Sequence, residues 1–137
     1  MINDIKNIFT YNSSTGAKDQ AVTASAASNA QLDFGSGERA GSIGKGNPVR
    51  VYAIVTEDFA ALTSLKVSIQ ESSDDGGSDA YEDIISSGDI PLAELKAGDI
   101  VWETTLPSEA ERYIQAYFAV TGSNATAGKV MVGLSMR

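Results

Sequence analysis

The hexapeptide Leu65-Lys-Val-Ser-Ile-Gln70 decides the fold class: Leu65, Val67 and Ile69 alternate with polar residues, the period-two signature of a strand with one buried and one wet face. Upstream, Val49-Arg-Val-Tyr-Ala-Ile-Val-Thr56 is more continuously apolar, as a strand covered on both faces should be. Downstream, Ile100-Val-Trp-Glu-Thr-Thr-Leu106 reads as a strand. The segment 112–121 sets Ile114, Ala116, Phe118 and Val120 on one face against Tyr113, Gln115 and Tyr117 on the other. Val130, Val132, Leu134 and Met136 alternate in a closing strand, and 21–27, 30–34 and 81–86 are weaker candidates. About seven or eight antiparallel strands separated by turn residues point to an all-β, jelly-roll-like two-sheet sandwich. A short helical turn is expected at Pro91-Leu-Ala-Glu-Leu-Lys96, with Gly98 just beyond it.

The stretch Gly122-Ser-Asn-Ala-Thr-Ala-Gly-Lys-Val130 invites comparison with a phosphate-binding loop. Five residues rather than four separate the glycines, and Val130 stands where a magnesium-binding hydroxyl is required. It reads instead as a loop joining the last two strands. Gly35-Ser-Gly-Glu, Gly44-Lys-Gly-Asn-Pro48 and Ser72-Ser-Asp-Asp-Gly-Gly-Ser-Asp79 carry the same turn chemistry.

Composition narrows function by exclusion. The 137 residues fit one domain, 21–137, preceded by an N-terminal arm or edge segment, 1–20. A domain of this size buries roughly 68% of its unfolded surface, enough for a self-sufficient core. There is no cysteine and no histidine, which removes disulfides, thiolate chemistry and Ser-His-Asp catalysis together with the commonest metal ligands. A net charge of −8 with dispersed basic residues argues against a nucleic-acid partner. The amino terminus MINDIKNIFTYN has no basic region followed by an apolar block, and no stretch has the ~18 apolar residues of a membrane span. The expectation is a soluble, unsecreted chain compatible with a reducing cytosol.

Candidate chemistry is thin. The acidic run 71–79 lacks the spacing of a calcium loop, and carboxylate pairs drawn from Asp74, Asp75, Glu109 and Glu111 have no set of aromatics to stack a sugar. No nucleophile, base and oxyanion donor assemble, so no catalytic residue, cofactor or metal is assigned and no enzyme is expected. Trp102, Tyr113, Tyr117 and Phe118 can form an aromatic patch; at period two such residues serve core or interface more often than ligand. Ile2, Ile5, Ile8 and Phe9 recur at helical spacing and either anchor the arm to a partner or cover the domain's own core.

Ordered phrases add a resemblance. Gln20-Ala-Val-Thr-Ala-Ser, Leu32-Asp-Phe-Gly35, Gly44-Lys-Gly-Asn-Pro48 leading into Val49-Arg-Val-Tyr, Ser87-Gly-Asp-Ile-Pro91 and Leu95-Lys-Ala-Gly98 come first. Leu106-Pro107, Glu111-Arg-Tyr113, Tyr117, Val120-Thr-Gly122 and Thr126-Ala-Gly-Lys-Val130 follow. Together, over roughly residues 20–135, they resemble the capsid cement (decoration) proteins of short-tailed bacteriophages. The resemblance implies a structural virion protein, made in the host bacterial cytoplasm, that binds the outer capsid surface and bridges neighbouring major capsid proteins. It implies a homo-oligomer, dimer first and trimer second, with no membrane or direct nucleic-acid contact. Candidate capsid or subunit contacts are then Ile2, Ile5, Ile8, Phe9, Trp102, Tyr113 and Tyr117. The competing expectation is a carbohydrate- or ligand-binding β-sandwich module of a phage tail or host-attachment apparatus, with Trp102 or the tyrosines stacking a sugar ring.

Overall fold

The computed structural model describes residues 7–33, 49–106 and 112–136. Two strands of 24 residues each, β4 (Val49–Ser72) and β7 (Tyr113–Met136), run antiparallel side by side from Val49↔Met136 to Ser72↔Tyr113. Straight, each would reach roughly 80 Å, against a radius of gyration of about 14 Å for a compact domain of this length, so both must bend. The bend is visible in the pairing: register shifts cluster between Val55 and Ser64, where Ala61 has φ 79° and its neighbour Leu62 stands opposite Gly122 with φ 85°. Irregular residues at this point turn the strands while sparing the regular ladders on either side.

The shorter strands attach to the two halves of this ribbon. β6 (Ile100–Thr105) pairs with the first half of β4, and β5 (Glu82–Pro91) pairs with the second. On the outer side of β7, β1 (Gln20–Ala21) meets Val130 and Lys129, while β2 (Ala26–Ala27) and β3 (Leu32–Asp33) meet its opposite half. Among the described residues the result is all-β, a single antiparallel sheet of seven strands. One continuous core takes Val51, Ala53 and Val55 from the first half and Leu65, Val67 and Ile69 from the second. The two layers expected of a sandwich are thus joined through the bent strands.

The expected turns are corrected here. The stretch 122–130 is no hairpin loop but the bent middle of β7, and 49–56 and 65–70 are likewise one strand. The glycines do supply the conformation a turn would need, with Gly128 at φ 138°, but pairing with β4, interrupted within the bend, resumes on both sides of it and no chain reversal follows. The helical turn contracts to a 3₁₀ turn at Leu92–Glu94. The turns at 35–38 and 44–48 lie outside the described residues.

The N-terminal arm or edge segment follows one of its two expected courses. From residue 7 onward the segment is part of the domain: Ile8 bridges to Gly133, the Phe9 N–H donates to the Val132 carbonyl at 2.8 Å, and the Ala30 N–H donates to the Phe9 carbonyl at 2.8 Å. Thr10, fully buried, donates its hydroxyl to the Lys18 carbonyl (2.7 Å) and accepts the Val132 N–H (3.2 Å). Gly133 makes the approach possible, because a Cβ there would sit 2.8 Å from the Tyr52 hydroxyl and 2.9 Å from the Asn7 carbonyl. Tyr52 is buried on the face opposite Val51 and Ala53, so this part of β4 is covered on both sides, in line with the apolar run 51–55.

Candidate functional site

The second half of the ribbon builds a distinctive outward face. Burial of Ile114, Ala116 and Phe118 in the core sends Tyr113, Gln115 and Tyr117 to the other side of β7. They stand in register with Ser72, Gln70 and Ser68 of β4. A row of side-chain hydrogen bonds crosses the strands: Gln31 donates to Gln115 (3.4 Å), Gln115 to Gln70 (2.8 Å) and Gln70 to the Asp83 carboxylate (2.8 Å). Such cross-strand pairs hold neighbouring side chains in one orientation.

The tyrosines flank this row about 14 Å apart, four residues along one strand. Tyr113 is held from outside: the Arg112 guanidinium lies 4.8 Å from its ring centroid and grips Asp33 with two bonds of 2.8 and 3.1 Å. That carboxylate, accepting the Arg112 hydrogen bonds, raises the guanidinium pKa further above its ordinary value. The ion pair is exposed and adds little stability by itself; its effect is to restrict Tyr113. Opposite the tyrosines on β4, Ser68 and Ser72 are almost fully buried, and among the described residues the Ser68 hydroxyl has no hydrogen-bond partner.

The other sequence candidates are placed elsewhere. Trp102 pairs across from Ala53, in the half of the sheet remote from Tyr117 (opposite Ser68) and Tyr113 (opposite Ser72), so the expected aromatic patch is divided. Trp102 packs partly buried against the core, and Phe118 lies within it. Ile8 and Phe9, at 1% and 0% exposure, are consumed by the domain's own interior and offer no free contact surface. Their apolar character reflects core cover, one of the two expectations for this segment. Ile2, Ile5, Glu109 and Glu111 lie outside the described residues.

The acidic loop is organised by its own backbone. Asp74 accepts the Ser78 N–H at 2.6 Å and the Asp79 N–H at 3.1 Å, and these donors hold its carboxyl below the usual range. Ser72 accepts the Gly76 N–H (2.8 Å) and donates to the Asp79 carbonyl (2.6 Å), while Asp79 accepts both the N–H and hydroxyl of Ser73 at 2.9 Å. Tyr81 donates to Asp75 at 2.6 Å; burial first and this bond second raise its pKa. Carboxylates already engaged by amide donors have little left for a cation, and no three acidic groups converge among the described residues. The row of glutamines escaped sequence reasoning, because Gln31, Gln70, Asp83 and Gln115 become neighbours only through strand pairing.

These features define an all-β protein whose two bent strands carry, on the face turned from the core, two half-buried tyrosines beside a cross-strand row of glutamines. The chain belongs to the Bbp16 family, whose signature matches residues 16–134. None of the curated proteins matches it.

Proposed function

We propose that this is a structural virion protein that binds the outside of a phage capsid and cements neighbouring major capsid proteins, acting as a homo-oligomer. The observation that carries the reading is the Tyr113–Gln115–Tyr117 face. Tyrosines contribute large contact area with few rotatable bonds, and a cross-linked sheet surface loses little entropy on docking. The bent ribbon suits a protein under lateral load, since β4 and β7 pair over almost their whole length and force is shared along one ladder. Repetition over a lattice then turns modest contacts into firm retention by avidity. The phrases resembling capsid cement proteins fall almost wholly within the segment that the family covers.

The carbohydrate-binding alternative loses part of its support, since Trp102 and the tyrosines do not meet and none of the three lines the clefts of about 360 and 280 Å³. The deciding experiment is co-sedimentation with mature heads of the phage that encodes the chain. Saturable binding of the folded protein, reduced in Tyr113→Ala/Tyr117→Ala, is expected. Absence of the protein from purified heads, with no binding on addition, would refute the proposal.

A further inference from the structure

The charge of the chain is unevenly placed. Residues 57–99 hold eleven acidic and two basic side chains, a net −9, whereas the rest holds seven acidic and eight basic, a net +1. The acidic segment runs from the bend of β4 through β5 to the 3₁₀ turn and just beyond, so this part of the chain carries essentially the entire net charge. The ion pairs Arg50–Glu103 and Arg112–Asp33 lie outside this segment.

At the end of this region lies an open cleft of about 360 Å³ bounded by Ile90, Ala93, Glu94, Asp99, Ile100 and Val101. Ile100 is 53% exposed, the one large apolar side chain so exposed among the described residues. The cleft wall is fixed to the ribbon: the Gly98 N–H donates to Val55 (2.8 Å), the Val55 N–H to Asp99 (3.0 Å), the Phe59 N–H to Leu95 (3.1 Å) and the Ala97 N–H to the Asp58 carboxylate (2.7 Å). An exposed apolar residue on a pre-formed wall, rimmed by carboxylates, is suited to recognition.

We infer that this cleft docks a basic segment of a partner protein, seating one apolar side chain against Ile90 and Ile100 while flanking Lys or Arg residues face Glu94, Asp99 and the acidic field beyond. The inference rests on the proposed shell-binding role for where that partner is met. Charge selects the occupant: a second copy presenting the same surface would set −9 against −9, and a nucleic acid would be repelled likewise. Side chains, not backbone pairing, make the contact. The neighbouring edge of β5 is interrupted by two register shifts and ends in Pro91, devices that discourage strand addition.

The test has two arms. In the first, the isotope-labelled full chain is titrated with the capped peptides KKGIGKK and EEGIGEE and followed by amide chemical shifts. The lysine peptide should perturb residues 90–101 with a salt-sensitive affinity, the glutamate peptide should not, and Glu94→Gln/Asp99→Gln should weaken binding roughly tenfold. Ile100→Ser should weaken it further while leaving the melting curve close to that of the wild type. No perturbation, perturbation elsewhere, or equal binding of the two peptides would overturn the inference. In the second arm, wild type and the triple variant Glu94→Gln/Asp99→Gln/Ile100→Ser are compared on mature heads. Loss confined to the variant supports the cleft; equal binding removes it while leaving the shell role intact. Failure of the wild type to bind refutes the shell role, and the peptide arm then decides the cleft alone.

Discussion

Gly128→Ala tests the bend on which the fold depends. Gly128 has φ 138°, a conformation that L residues avoid at a cost of about 1–3 kcal/mol. A Cβ would also overlap the ring of Phe59, lying 2.7 Å from its Cε2, and Phe59 is only 3% exposed. Overfilling such a site costs about 1–3 kcal/mol more. The sum, roughly 2–6 kcal/mol, corresponds to a melting temperature about 7–20 °C lower for a chain of this length. Gly98→Ala separates the two contributions, because φ is 92° there but nothing lies within 4 Å of the added carbon. It should incur the backbone part alone. Urea unfolding of both variants, followed by circular dichroism, gives the difference. Introducing Gly128→Ala into a Phe59→Leu background should recover part of the packing loss. If Gly128→Ala is no more destabilising than Gly98→Ala, the close approach of β7 to Phe59 at the bend is wrong.

Phe9→Ala should destabilise the domain by about 3–5 kcal/mol in denaturant titration, as expected for a buried aromatic ring; a cost below ~1 kcal/mol would restore the free-arm reading. Ser68→Ala removes a buried hydroxyl without a partner and should leave stability unchanged or raise it by up to ~1 kcal/mol, whereas a clear loss would reveal an interaction there. Asp74 has a carboxyl held below its ordinary value of 3.8, chiefly by the Ser78 N–H and then the Asp79 N–H, so its contribution is present above that pH and lost as pH falls through the lowered value. Amide signals of Ser78 and Asp79 should therefore stay constant above about pH 4 and move together only in stronger acid; Asp74→Asn should shift them at neutral pH. Movement near pH 5 would show that these amides do not report on Asp74.

The faces of the strands were legible because side-chain direction alternates residue by residue. Leu65, Val67 and Ile69, and Ile114, Ala116 and Phe118, are core positions that any register of partner strands preserves. The more continuously apolar stretch 49–56 likewise announced a segment covered on both sides. Trp102 shows where such reading ends: its period-two setting made it a plausible neighbour of Tyr113, but its partner strand is the other half of β4. Ile8 and Phe9 show the same limit, since apolar residues near a terminus look alike whether they wait for a partner or fill a gap left by Gly133.

By itself, then, the sequence determined the all-β class, the inward face of each long strand and the glycines at which the backbone departs from extended geometry. These are local properties, set by alternation and by the absence of a Cβ. Whether Gly122 and Gly128 reverse the chain or merely bend it was decided only in three dimensions, because that outcome depends on β4 remaining paired alongside. The glutamine row, the clamped Tyr113 and the acidic cleft beside Ile100 arise in the same way. Each joins residues distant in the chain, brought together by the register of two bent strands.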